Sequence, residues 1–171
     1  LAVFRANPEL VSDAFAPFCG VRPWLTGENP YHAVGPGRTC ELDFPLLNPF
    51  PAVLFFAPLT FLPGNTGIQL FVALSAGILA FGATRDGFFR MPMFFSGAFL
   101  WAAISAQWEV LFTAALFFPF LAVSWIAKPQ VAVAMTLAWL SKSHVRWIIG
   151  GSLVMAALSL ALFPAWPFFW L

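Results

Sequence analysis

From residue 44 onward the chain is a series of long apolar runs, interrupted at a few points by charge or proline. A helix that crosses a bilayer needs about 20 largely apolar residues. Residues 67–84 supply such a run, which stops at the charged turn Arg85-Asp86-Gly87-Phe88-Phe89-Arg90. Residues 91–107 predict a second span, and residues 145–162 a third, with Arg146 snorkelling to the interface. Residues 49–63 are short and punctuated by proline. They predict a helix lying in the membrane interface, with one face on lipid. Residues 110–127 are long enough to cross but carry Pro119 in their middle, and 131–141 are too short to cross alone.

Polar positions concentrate at the start. Residues 1–43 hold Arg5, Glu9, Asp13, Arg22, Glu28, Arg38, Glu41 and Asp43, among many prolines and glycines, and predict an aqueous loop with short helices. Two basic clusters, Arg85/Arg90 and Lys142/His144/Arg146, set the orientation, because Lys and Arg favour the cytoplasmic side. With both inside, residues 1–63 form an extracytoplasmic region and 64–171 the transmembrane one. The chain must then cross an odd number of times between Glu109 and Lys142. The favoured solution is a re-entrant hairpin of 110–118 and 120–127, broken at Pro119, which leaves Lys128 outside. Such a hairpin needs burial in protein, since broken backbone cannot face lipid. The alternative is a straight span over 110–127 with Lys128 inside.

Composition sharpens this picture. The chain of 171 residues is 61% hydrophobic and 9% charged, with mean hydropathy +0.85. A soluble domain carries about a quarter charged residues, so that class is excluded. The net charge of +1 gives no electrostatic footprint for nucleic acid. The first residue is Leu1 and the last stretch is apolar and aromatic, so the expectation is an internal piece of a longer polytopic protein. No secretory signal pattern opens the sequence. Cys19 and Cys40 fall in the outer region and form either a disulfide or two unpaired thiols. Neither zinc-ligand spacing, a phosphate-binding glycine loop nor a nucleophile elbow is present.

Ionisable groups are costly near a bilayer and point to function. Asp13, in Val11-Ser12-Asp13-Ala14-Phe15, reads either as a general base or as part of a helix N-cap. Glu109 follows Trp108, which reads as an interfacial anchor. Glu109 itself is either a helix-start acid or a second carboxylate facing Asp13. Lys128, before Pro129 and Gln130, either binds a phosphate head group or snorkels. Arg85, Arg90, Lys142 and Arg146 read as topology determinants.

Four stretches in order then resemble the GT-C class of membrane glycosyltransferases, in particular the polyprenyl-phosphate-mannose-dependent glycosyltransferase family eighty-seven. Asp13 opens the first outer loop, and Leu25-Thr26-Gly27-Glu28-Asn29-Pro30-Tyr31 is similar to that group's Gly-x-Asn-Pro-Tyr loop. Residues 44–63 resemble its tyrosine-proline-proline-leucine segment and the alanine-proline-leucine helix after it. Ala106-Gln107 and Ala127-Lys128-Pro129-Gln130 are similar to its Gly-Gln and Lys-Pro motifs. The order holds over about residues 10–165. Asn48 stands where that family has tyrosine, Phe50 interrupts the Pro-Pro pair, and Ala106 replaces glycine.

The resemblance implies an all-α polytopic transmembrane bundle of GT-C type, set in a bacterial plasma membrane with its chemistry on the outer face. It implies a polyprenyl-phosphate sugar donor, mannose above all, and a glycan or glycolipid acceptor. Membrane lipid is a partner, nucleic acid is not, and no cofactor is implied beyond the donor. A metal site is not expected, although dependence on a divalent ion stays open. Asp13 would be the base for an inverting transfer, with Glu109 a second catalytic carboxylate. Lys128 and Gln130 would hold the donor phosphate, and Asn29, Tyr31 and Gln107 would position the acceptor or the loop. Residues 49–63 would wall the path of the lipid chain. The rival reading is a non-enzymatic transporter or membrane scaffold.

Overall fold

The computed structural model describes residues 12–138 and 142–170. The loop's first eleven residues and the end of the 131–141 stretch lie outside the described residues. Among the described residues the chain is all-α, with no strand and an isolated bridge between Val34 and Cys40. The order begins with α1 (Phe15–Leu25), α2 (Pro30–Ala33), α3 (Phe50–Phe56) and a 3₁₀ segment, Ala57–Phe61. The long helix α4 (Thr66–Thr84) follows, then the 3₁₀ segment Phe88–Phe95, α5 (Gly97–Ile104), α6 (Glu109–Ala114) and the 3₁₀ segment Pro119–Ala127. The chain continues through α7 (Pro129–Ala138), α8 (Lys142–Leu162) and α9 (Trp166–Trp170).

Two of these helices, Thr66–Thr84 and Ser143–Leu162, are long and apolar enough to cross a membrane. They are the first and third of the expected spans. The second, over 91–107, is corrected: it is split into Phe88–Phe95 and the eight-residue α5. The cause is local. Pro92 has no amide hydrogen to donate within its segment. Ser96 then adopts an extended conformation and its side chain accepts the amide of Phe99, so a new helix starts there. At about 1.5 Å per residue, α5 reaches roughly 12 Å, well short of a bilayer core.

The 110–127 stretch turns back on itself. Phe118, kept out of the helical region by the proline after it, separates α6 from the 3₁₀ segment that Pro119 opens. A straight helix would hold residues 109 and 128 about 28 Å apart; here Glu109 Oε1 and Lys128 Nζ are 3.1 Å apart. The bend is covered by protein. At Gly82 of α4 an added Cβ would stand 2.7 Å from Phe117 and 2.9 Å from Phe118, so only glycine admits so close a hairpin tip.

The core lies between α1, α3, α4 and this hairpin. Trp108 is fully buried and contacts Phe55, Phe56 and Phe71 edge-on at 5.1–5.3 Å between ring centres, with Phe112 stacked at 5.9 Å. It is therefore a core residue and not the interfacial anchor expected. The 49–63 stretch packs one face into this core. Phe50, Ala52, Val53 and Phe56 are wholly buried in protein, Leu54 and Phe55 are half-buried, and Pro58, Phe61 and Pro63 are exposed. Its proline spacing does break the helix at Ala57, but the apolar side chains face other helices.

The 12–63 unit holds one end of each long helix. The first turn of α4 packs through Gly67 against Leu59 and Phe18. After α8, Phe163 meets Phe50 and Tyr31 at 5.2 and 6.5 Å between ring centres, and Trp170 Nε1 donates to the carbonyl of Leu47 at 2.9 Å. Helix α4 thus leaves the 12–63 unit and α8 returns to it, which places Arg85 and Arg146 at the far ends of these helices.

Candidate functional site

Helix α1 begins with a division of labour. The Ser12 hydroxyl accepts the amide of Phe15 at 3.2 Å, so serine caps the helix and Asp13 is left to reach elsewhere. Its carboxylate accepts a hydrogen bond from Lys128 Nζ. Glu109 is the first residue of α6, placed by the turn that ends α5 and pinned by the buried Trp108 before it. Lys128 sits in non-helical backbone between the 3₁₀ segment and α7, since Pro129 disfavours the helical region in its predecessor. Three segments distant in sequence so bring two carboxylates onto one ammonium.

Burial within this cluster is graded. The Lys128 side chain is 12% exposed, Asp13 32% and Glu109 43%. Formally the trio carries one negative charge more than it neutralises. Glu109 Oε1 takes the lysine, whereas Oε2 is buried with no hydrogen-bond partner. Glu109 also lines a cavity of about 230 Å³, bounded by Leu79, Met93, Phe99, Val110 and Thr113. A buried acceptor without a donor beside an open cavity is a place where a hydroxyl or water gains by binding.

The remaining sequence-derived positions are spread around this centre. Asn29 Oδ1 accepts the amide of Tyr31 at 3.0 Å and caps α2. The Tyr31 hydroxyl donates to the carbonyl of Asn48 at 3.2 Å. Burial pushes this phenol well above its ordinary range, against the opposing pull of the Phe50 backbone. Gln107 is half-buried two residues before Glu109, and Gln130 is exposed at the start of α7. Among the described residues no three His, Cys, Asp or Glu side chains converge to hold a metal ion.

One positioning residue escaped the sequence reading. Asn48 is buried, and its side-chain amide donates to the carbonyl of Ala127 at 3.3 Å, next to Lys128. With Tyr31 bound to its own carbonyl, Asn48 links α2 to the base of the hairpin. A polar residue amid apolar ones was the available signal, although it stood out only as a departure from the resembled motif. Cys19 and Cys40 are disulfide-bonded with Cα atoms 6.2 Å apart, which ties α1 to the strap after α2. Compared with protein-family models, with curated proteins and with solved structures, the chain matches none of them.

Proposed function

We propose that this chain is the catalytic-side part of a membrane glycosyltransferase of GT-C type. It moves a sugar, mannose in the first instance, from a polyprenyl-phosphate donor to an acceptor hydroxyl outside the membrane. The observation that carries the reading is the meeting of Asp13, Glu109 and Lys128 at the base of a protein-buried hairpin. In support, only 6% of the Ser143–Leu162 window is buried within the chain, so its apolar surface needs lipid or further helices around it. The disulfide of the 12–63 unit fits an oxidising, extracytoplasmic side. In this reading the two long helices belong to a polytopic bundle in a bacterial plasma membrane, with both basic ends in the cytoplasm.

The chemistry follows from the charges. Asp13 takes the acceptor's proton while that oxygen attacks the anomeric carbon from the face opposite the phosphate. The bond from the anomeric carbon to phosphate oxygen breaks, the configuration inverts, and polyprenyl phosphate leaves. Lys128 is bound to two carboxylates in the resting arrangement. An arriving phosphate competes for it, and each bond shifted from Asp13 to phosphate strengthens Asp13 as a base. Phosphate charge grows as the bond to sugar breaks, so Lys128 favours the transition state over the ground state. Glu109 Oε2, buried and without a hydrogen-bond partner, would accept a hydrogen bond from a sugar hydroxyl.

The rival reading is a transporter or scaffold, and the satisfied lysine favours it: an ion-paired trio at broken helices also suits a transporter site. Membranes expressing the full-length gene separate the two, given radiolabelled polyprenyl-phosphate mannose and a mixed acceptor extract. Transfer should fall at least about 100-fold in Asp13→Asn at equal membrane abundance, as expected for loss of a general base. Transfer undiminished in that variant would remove Asp13 from the chemistry, and none in the wild type would favour the rival.

A further inference from the structure

Helix α8 carries a feature at the end remote from the trio. Arg146, Gly150 and Val154 recur every four residues and so share one face. They bound an open groove of about 620 Å³, walled by Val123 and Met155, with Trp147 at its mouth. The two neighbouring glycines do different work. A Cβ at Gly151 would stand 2.6 Å from Val123, so this glycine seats α8 against the hairpin. A Cβ at Gly150 would meet nothing within 4 Å, so this one leaves the groove floor open.

We infer that this groove binds one anionic phospholipid, its phosphate on Arg146 and the upper part of an acyl chain over Gly150 toward Val154. Charge complementarity selects that occupant. Arg146 is exposed and makes no ion pair with any described acid, while the walls beyond it are apolar. From Arg146 to Val154 the helix advances about 12 Å, enough for a chain segment and too far for a head group alone. An aromatic beside a cation at the end of an apolar helix is the pairing expected at head-group depth. The inference rests on the membrane reading of α8, though not on sugar transfer.

The test uses the full chain, first shown to stay with membranes through alkaline carbonate extraction. Release by carbonate would overturn the membrane reading and this inference with it. Purified protein is then incubated with phosphatidylglycerol or phosphatidylcholine and bound lipid is counted by native mass spectrometry. Wild type should retain one phosphatidylglycerol in preference to phosphatidylcholine. Arg146→Gln should weaken that retention about fivefold, the scale of one basic residue at a lipid surface. Gly150→Leu should lose the lipid altogether while melting no lower than wild type, since leucine favours the helix and meets open space. Retention unchanged in Arg146→Gln would overturn the phosphate contact. Retention unchanged in Gly150→Leu would overturn the groove.

Discussion

Ala106 ends α5 in the left-handed region, with φ of 48°, and it is wholly buried. The amide of Gln107 donates to the carbonyl of Ala102 at 2.8 Å and that of Ala106 to Ala103 at 3.3 Å, the bond pair of a Schellman helix end. That position ordinarily takes glycine, and alanine there costs about 1 kcal/mol or more. Ala106→Gly removes this strain but gives up one buried methyl, worth about 0.8 kcal/mol, so its stability should stay within about 1 kcal/mol of wild type. Ala106→Val adds a branched carbon to a strained, filled site and should lose at least about 2 kcal/mol. Thermal melts in detergent, followed by circular dichroism, compare the three. A valine variant as stable as wild type would mean that this turn is not left-handed. Tyr31 offers a second test, because it is the chain's one tyrosine and its ultraviolet titration reports a single group. With the folded phenol raised, folding stability is whole below pH 10, the ordinary phenol value, and declines as pH rises beyond it. Phenolate absorbance should therefore appear later than in free tyrosine and together with unfolding. Ionisation near pH 10 in the folded protein would show that Tyr31 is not buried as described. Glu109 and Lys128 stood out in the sequence because charge is rare around them, and Asp13 because it sits among apolar neighbours. The capping role of Ser12 did not, since Ser-Asp before an apolar run suits either residue as the cap.

At the scale of elements, apolar length was legible and breakage only partly so. Residues 67–84 and 145–162 have nothing inside them to interrupt a helix, and each forms one. Residues 91–107 are also a largely apolar run, yet Pro92 and Ser96 divide them, because a serine that can cap competes with helix continuation. Pro119 was legible as a break, but the choice between hairpin and span depended on where the two ends meet. That contact is tertiary, and no local pattern encodes it. Two glycines of α4 test the hairpin. Gly77 faces open space, whereas Gly82 faces the tip of the hairpin at Phe117 and Phe118. Gly77→Leu should leave stability unchanged or raise it, through helix propensity. Gly82→Leu should cost about 3 kcal/mol through overpacking, or abolish folding. The measurement is the detergent melting temperature of both variants beside wild type. Equal melting of the two leucine variants would separate the hairpin tip from α4.

Across the whole molecule, two kinds of side chain lie at opposite ends. The disulfide, the loop that holds it and the trio's Asp13 belong to the unit where α4 starts and α8 ends; Arg85 and Arg146 lie at the other ends of those helices. The sequence suggested this polarity through charge placement alone, while the pairing of Cys19 with Cys40 was undecided until α1 and the strap after α2 were placed together. Closing that loop, of sequence separation 21, stabilises the unit by about 3 kcal/mol through the entropy it removes from the unfolded chain. It also makes the sidedness measurable, since these are the chain's two cysteines. In intact cells a membrane-impermeant maleimide should not label the protein until an impermeant reductant is added, and should then label Cys19 and Cys40. A cysteine placed in the opposite turn, in an Asp86→Cys variant on a background with Cys19 and Cys40 changed to serine, should be labelled only once the membrane is breached. Labelling of the native pair without reductant would remove the bridge. Labelling that needs the breach, even with reductant, would invert the molecule and carry Asp13 to the cytoplasmic side. That outcome would exclude transfer to an outer acceptor whatever the chemistry of the trio.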